Sequence, residues 1–131
     1  MNTVIEISGL SKSYGDIKAV SDISFSVARG EVFGMLGPNG AGKTTTVEMI
    51  EGLRIADEGK VHVLGIDAAR DTGSLKEHIG VQLQSPALFP LMSVQEVIGF
   101  FGSLYKKSIP TSEIMKLVVL DESKKVLVKN L

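Results

Sequence analysis

Eight consecutive residues carry the most legible chemistry: Gly37-Pro38-Asn39-Gly40-Ala41-Gly42-Lys43-Thr44, which fits the pattern G-x-x-x-x-G-K-[ST]. Glycines at 37, 40 and 42 open backbone angles closed to other residues and let the chain pass close to an anion. Successive N–H groups can then point inward as a nest for phosphate. A helix starting near Lys43 adds the positive end of its dipole. In this pattern Lys43 reaches the β- and γ-phosphates and the Thr44 hydroxyl ligates Mg²⁺, a cation that keeps several waters and needs few protein ligands. The loop is predicted to bind a nucleoside triphosphate.

Such a loop works only between a strand and a helix, and the flanking sequence offers both. Val32-Phe33-Gly34-Met35-Leu36 is a short apolar run suited to a strand buried on both faces, and it stops at Gly37. From Thr45 onward Val47, Ile50 and, one turn on, Leu53 or Arg54 recur at helical spacing with Met49 beside them, and Gly52 lies near the end of that helix. Upstream, Val4, Ile5 and Ile7 sit among polar residues, and Ile23-Ser24-Phe25-Ser26-Val27 alternates as a strand with one buried face. Asp57-Glu58-Gly59 turns the chain into a strand from Lys60 to Gly65. Ser74 to His78 reads as a short helical connector, and Ile79-Gly80-Val81-Gln82-Leu83 as a strand. Ser93-Val94-Gln95-Glu96 is a capping box. It opens a helix whose apolar face is Val94, Val97, Ile98, Phe101, Leu104 and Tyr105, and Pro110-Thr111-Ser112 starts another.

With these surroundings, Gly37 to Thr46 closely resembles the Walker A segment of ABC transporter ATP-binding subunits. Tyr14-Gly15, then Ala19-Val20 and Ile23-Ser24-Phe25, is similar to that family's A-loop and following strand. Asp57-Glu58-Gly59-Lys60-Val61 through Gly65-Ile66-Asp67 resembles its next hairpin, and Ile79 to Gln84 the strand entering its Q-loop. The likeness is strongest to subunits that energise multidrug and other ABC-2-type exporters. It implies an α/β P-loop NTPase with an N-terminal antiparallel β subdomain, a strand–loop–helix core and the start of a helical subdomain. The expected division is 1–92 for the β subdomain and core, and 93–131 for the helical part.

The resemblance also implies roles. Gly37, Pro38, Asn39, Gly40, Ala41, Gly42, Lys43, Thr44 and Thr45 would hold ATP, with Lys43 also catalytic and Thr44 on Mg²⁺. Tyr14 would stack on adenine, the alternative being a half-buried tyrosine at a strand end. Val20 would pack near the ribose or serve the core. Gln84 would contact Mg²⁺ and the attacking water, with Gln82 as its rival two residues away. The partners implied are a transmembrane permease and a second ATPase copy paired head to tail, each nucleotide lying between one Walker A and the other's signature loop. The subunit would be cytoplasmic, on the inner face of the membrane through the permease.

Neither signature loop, D-loop nor switch histidine is found in these residues. Leu117-Val118-Val119-Leu120-Asp121-Glu122 has the composition of a Walker B, four apolar residues and two carboxylates. We read it instead as a helix end and turn, because it grows from the helix start at Pro110 to Glu113 and nothing like the signature precedes it. Turnover by these residues alone should then be very low, and the chain is expected to be marginally stable or to self-associate. The alternatives are a nucleotide-binding module without catalysis and a soluble ABC ATPase outside transport.

Composition narrows the classes further. The chain has 131 residues, 44% hydrophobic and 22% charged, with a net charge of −1, as in a soluble folded protein. That length suits one core rather than two full domains. A near-neutral balance argues against a nucleic-acid surface. There is no cysteine, which removes disulfides, zinc–thiolate sites and thiol nucleophiles. His62 and His78 are too few for a histidine metal site and match no switch position. Neither a signal peptide nor an apolar run of membrane-span length is present in the sequence.

Overall fold

The computed structural model describes residues 2–82 and 88–131. It forms two compact units, Met1–Val81 and Gln82–Leu131. The first is built on a four-stranded antiparallel sheet of order β2-β1-β3-β4, with β1 Thr3–Tyr14, β2 Ile17–Ala28, β3 Glu58–Val63 and β4 Ile66–Asp67. β1 is central, pairing Ile5 and Ile7 with Val27 and Phe25 on one side and with Val63 and Val61 on the other. The expected alternation holds at Ile23, Phe25 and Val27, but it changes phase before Val20. Asp22 has φ 49° there, and β1 slips register between Ile7 and Leu10, so a bulge turns both Val20 and Leu10 into the core.

Helix α1, Lys43–Ile50, and helix α2, Thr72–Lys76, cover the sheet. Met49 and Leu75 join Ile7, Leu10, Val20, Val61, Val63 and Ala68 in one buried cluster. The buried face of α1 is Thr46 and Met49, with Ile50 partly buried against the cluster; Val47 and Leu53 of the predicted stripe are exposed. α1 ends in a Schellman turn at Gly52, with φ 69°: Gly52 N–H donates to Met49 O and Leu53 N–H to Glu48 O. A side chain at Gly52 would meet Ala68 O at 2.8 Å, so the turn is also a tight contact with the sheet side of the unit.

Two predicted strands are not strands. Val32–Leu36 belongs to no strand or helix, with Val32 98% and Leu36 95% exposed. Only Phe33 finds a ring partner, stacked on Phe25 at 4.8 Å. A strand buried on both faces needs neighbours for its backbone and its side chains, and no described segment lies in register with this one. An open apolar groove of about 320 Å³ runs beside it, lined by Phe33, Met35, Val47, Ile50, Ile79 and Val81 among others. Residues 79–82 are likewise outside any strand, and Leu83 lies outside the described residues.

The second unit holds α3 Val94–Ser103, α4 Thr111–Leu117 and two short 3-10 turns. The capping box is present: Glu96 N–H donates to Ser93 Oγ at 3.3 Å, and Ser93 N–H and Oγ–H both donate to Glu96 Oε2, at 2.8 and 2.7 Å. Val94 and Val97 are buried, while Phe101, Leu104 and Tyr105 of the predicted face are exposed. α4 starts after Pro110 with no side-chain cap. Among the described residues no helix is long and apolar enough to cross a membrane.

The two bonds from Ser93 hold the Glu96 carboxyl below its ordinary pKa, the side-chain bond contributing most. A depressed carboxylate stabilises the folded state above its unfolded pKa and ceases to do so as pH falls through its folded value. Glu96→Ala should therefore lower the melting temperature near neutral pH. In acid well below the carboxylate range, the variant and parent curves should converge. Parallel thermal melts check this, and a difference that persists unchanged in acid would refute it.

Candidate functional site

The phosphate-loop residues sit between the unpaired segment Val32–Leu36 and α1. Gly40 and Gly42 have φ 83° and 82°, the left-handed angles that the motif predicts. At Gly42 the need is absolute: an added Cβ would lie 2.0 Å from Ala19 O and 3.1 Å from Val20 Cγ2. The loop thus rests directly on β2. Val20, offered as a ribose contact, is 6% exposed and part of the core beneath the loop.

α1 begins at Lys43 with Gly42 as its N-cap, no side chain capping it and no acidic residue in its first turn. Its leading N–H groups are left for an external acceptor, and nothing negative competes for the dipole. The chain fastens the turn from behind, where Thr46, 2% exposed, donates its hydroxyl to Gly42 O at 2.9 Å. Lys43 Nζ lies across the loop, donating to Gly37 O at 2.7 Å and Pro38 O at 2.6 Å. Its ammonium is therefore held at the mouth of the cradle. Thr44 is exposed at the same edge and offers one hydroxyl, the kind of limited protein ligation that Mg²⁺ accepts when phosphates supply the rest. Positive-φ glycines, a free helix N-terminus and a poised ammonium fit a polyphosphate and its magnesium.

Tyr14 ends β1, 41% exposed, and pairs with Ile17 across the hairpin. The same ladder pairs Lys12 with Val20, whose methyl group neighbours Gly42. Tyr14 is thus two residues, about 7 Å, along β1 from the strand pair that supports the phosphate loop. Four residues that sequence reasoning missed surround it. Arg54 places its guanidinium 5.3 Å from the ring centroid, and Lys12 its ammonium 5.9 Å. Each cation is held by a carboxylate: Arg54 Nε donates to Glu48 Oε2 and Lys12 Nζ to Asp57 Oδ1, both at 2.6 Å. Asp57 also accepts Ser13 N–H at 2.7 Å, and these bonds, Lys12 first, lower its pKa. Glu48 raises that of Arg54, so the guanidinium stays charged.

Glu48 and Arg54 are six positions apart, beyond the reach of one helical turn. The Schellman turn at Gly52 folds Arg54 back, its N–H donating to Glu48 O at 3.1 Å. No pattern of spacing in the sequence announces that return.

Gln84 lies outside the described residues, and Gln82 is exposed. The Leu117–Glu122 segment is no strand: Leu117 ends α4, and Asp121–Ser123 is a 3-10 turn. Val119 N–H donates to Lys116 O and Leu120 N–H to Met115 O, a Schellman closure with Val119 at φ 58°. His62 lies in β3, and His78 Nδ1 is 2.8 Å from Ser74 O.

Known proteins with this combination can be compared directly. Residues 20–131 match the family described as ABC transporter. The chain is 42% identical over 103 residues to "Probable multidrug ABC transporter ATP-binding protein YbhF" of Escherichia coli, covering 79% of this chain and 18% of that one. It is 42% identical over 112 residues to "Nod factor export ATP-binding protein I" of Bradyrhizobium diazoefficiens, covering 86% and 37%. A solved "ATP binding subunit of ABC transporter" superposes with a TM-score of 0.82 at 25% identity, over 95% of this chain and 54% of that one. The chain therefore spans well under half of these two curated relatives.

Proposed function

The chain belongs to the ABC transporter family of ATP-binding proteins, and on that premise we propose that it is the nucleotide-holding part of a subunit that couples ATP binding and hydrolysis to export. The observation that carries the reading is the cradle itself: an uncapped α1 behind two left-handed glycines, with Lys43 Nζ across its mouth. The export direction draws on the relatives named for multidrug and Nod-factor export.

In this reading Gly37, Asn39, Gly40, Gly42 and Thr45 present backbone N–H groups to the phosphates, while Pro38, which has no N–H, and Ala41, whose N–H closes on Pro38 O, shape the loop. Lys43 neutralises the β- and γ-oxygens, and Thr44 holds Mg²⁺. Held by Thr44, Mg²⁺ would supply positive charge to offset the charge that develops on the transferred group. Tyr14 stacks on adenine, and Gln84 attends the metal and the attacking water. Residues 93–131 begin the helical subdomain that meets a transmembrane permease, which places the subunit on the inner face of the membrane. A second copy, paired head to tail, completes each nucleotide site. Without that partner's contribution, these residues alone should hold ATP with very little turnover, because placed charges supply most transition-state stabilisation.

The base and phosphate halves of the site can be tested separately by titrating Mg-ATP and Mg-tripolyphosphate calorimetrically. Tyr14→Ala should weaken ATP by about 1–3 kcal/mol, roughly 5- to 150-fold. Tripolyphosphate, which has no base, should bind both forms alike. An unchanged ratio of the two affinities would remove Tyr14 from the site.

A further inference from the structure

We propose that Arg54 is a positioning residue for nucleotide binding: anchored by Glu48 on α1, it holds the Tyr14 ring ready for the base. The proposal rests on Tyr14 being the base-stacking residue. It adds a mechanical link between the base and phosphate halves of the site that neither the loop motif nor the aromatic residue contains.

The geometry is a closed circuit. Tyr14 stands at the turn end of the β1–β2 hairpin, beside Gly15, with two-fifths of its surface exposed. Arg54 is a neighbour of the ring: its guanidinium carbon, 5.3 Å from the ring centroid, is within cation–π range. An arginine on a free stem would spread over many rotamers and hold nothing. This one is tied at Nε to Glu48 at 2.6 Å and at its own N–H to Glu48 O at 3.1 Å. Glu48 stands on the helix that opens with Lys43 and Thr44. The ring is thereby referenced to the element that carries the phosphate-binding side chains. Lys12, pinned by Asp57 and 5.9 Å from the same ring, braces it from β1.

A preorganised ring spares the ordering cost that binding would otherwise incur. Loss of the brace should appear in affinity for the base alone. Arg54→Gln is expected to raise the Kd for Mg-ATP roughly three- to tenfold, the entropy of one freed side chain. Mg-tripolyphosphate should be unaffected. Arg54→Lys, which keeps a cation but loses the planar fork, should recover part of the loss. In a Tyr14→Ala background, Arg54→Gln should cost nothing further, since the two act as one unit. Glu48→Gln, which releases Arg54 without removing its charge, should move ATP affinity in the same direction by less. It serves as the second variant should circular dichroism show Arg54→Gln unfolded.

Equal losses for ATP and tripolyphosphate would mean that Arg54 merely supports the fold, and would overturn the proposal. So would an ATP loss that is undiminished in the Tyr14→Ala background. If Tyr14→Ala weakens ATP while Arg54→Gln and Glu48→Gln do not, base stacking stands and the brace fails. If Tyr14→Ala itself leaves the ATP-to-tripolyphosphate ratio unchanged, the stacking reading fails first and takes the brace with it.

Discussion

Gly42→Ala should abolish measurable ATP binding and lower the stability of the chain, both through one methyl group. Alanine at φ 82° costs about 1–2 kcal/mol in left-handed strain alone. The methyl carbon would also stand 2.0 Å from Ala19 O, a backbone atom of β2 that cannot rotate away. Relief requires the loop to lift off the strand. That movement breaks the Thr46 hydroxyl bond to Gly42 O and turns the leading N–H groups of α1 off the phosphate position. Gly40→Ala is the matched control, since Gly40 shares the left-handed angle, φ 83°, but has nothing within 4 Å of an added Cβ. It should cost only the strain. Urea denaturation and ATP titration of the two variants should separate strain from collision. A Gly42→Ala chain with parental midpoint and affinity would mean that the loop does not rest on β2.

The contrast between these glycines shows what the sequence could and could not reveal. The motif identified which residues turn and where the helix starts, because those properties are local: a glycine's angles, an ammonium's reach, a helix start without a cap. The Ser93–Glu96 box was legible for the same reason, its bonds closing within four residues. That Gly42 abuts Ala19 is a contact across the fold, and no local pattern holds it. Val32–Leu36 failed in the opposite sense. Its composition is that of a strand buried on both faces, yet strand formation belongs to the neighbours as much as to the segment, and none of the described residues pairs with it. The Tyr14 surroundings were hidden by distance: Arg54 and Asp57 arrive from the far side of α1, by way of a reversal at Gly52. Leu117–Glu122 was separable from a true strand only by what surrounds it, since its apolar run and carboxylates match one by composition. The helix start at Pro110 decided it, and the chain closes α4 there even with a β-branched Val119 at φ 58°.

Lys43→Ala should weaken binding sharply while leaving the fold in place, the reverse of a structural lesion. The hydrogen bonds of its ammonium go to Gly37 O and Pro38 O, and both residues are exposed, so water can replace the lost donor. The denaturation midpoint should barely move. Phosphate oxygens carry full charge, and a bond from an ammonium to such an acceptor contributes about 1.5–3 kcal/mol, or roughly 10- to 150-fold in affinity. The loss should be equal for Mg-ATP and Mg-tripolyphosphate, because Lys43 meets only what the two share. Tyr14→Ala should distinguish them, and Gly42→Ala should lose both together with stability. Three variants thus produce three separate signatures, and any two coinciding would collapse the division of labour along this site. A Lys43→Ala chain that still bound both ligands at parental affinity would place the polyphosphate away from α1. The stacking role of Tyr14, which the family resemblance implies and its place along β1 from the cradle supports, would then lose that support as well.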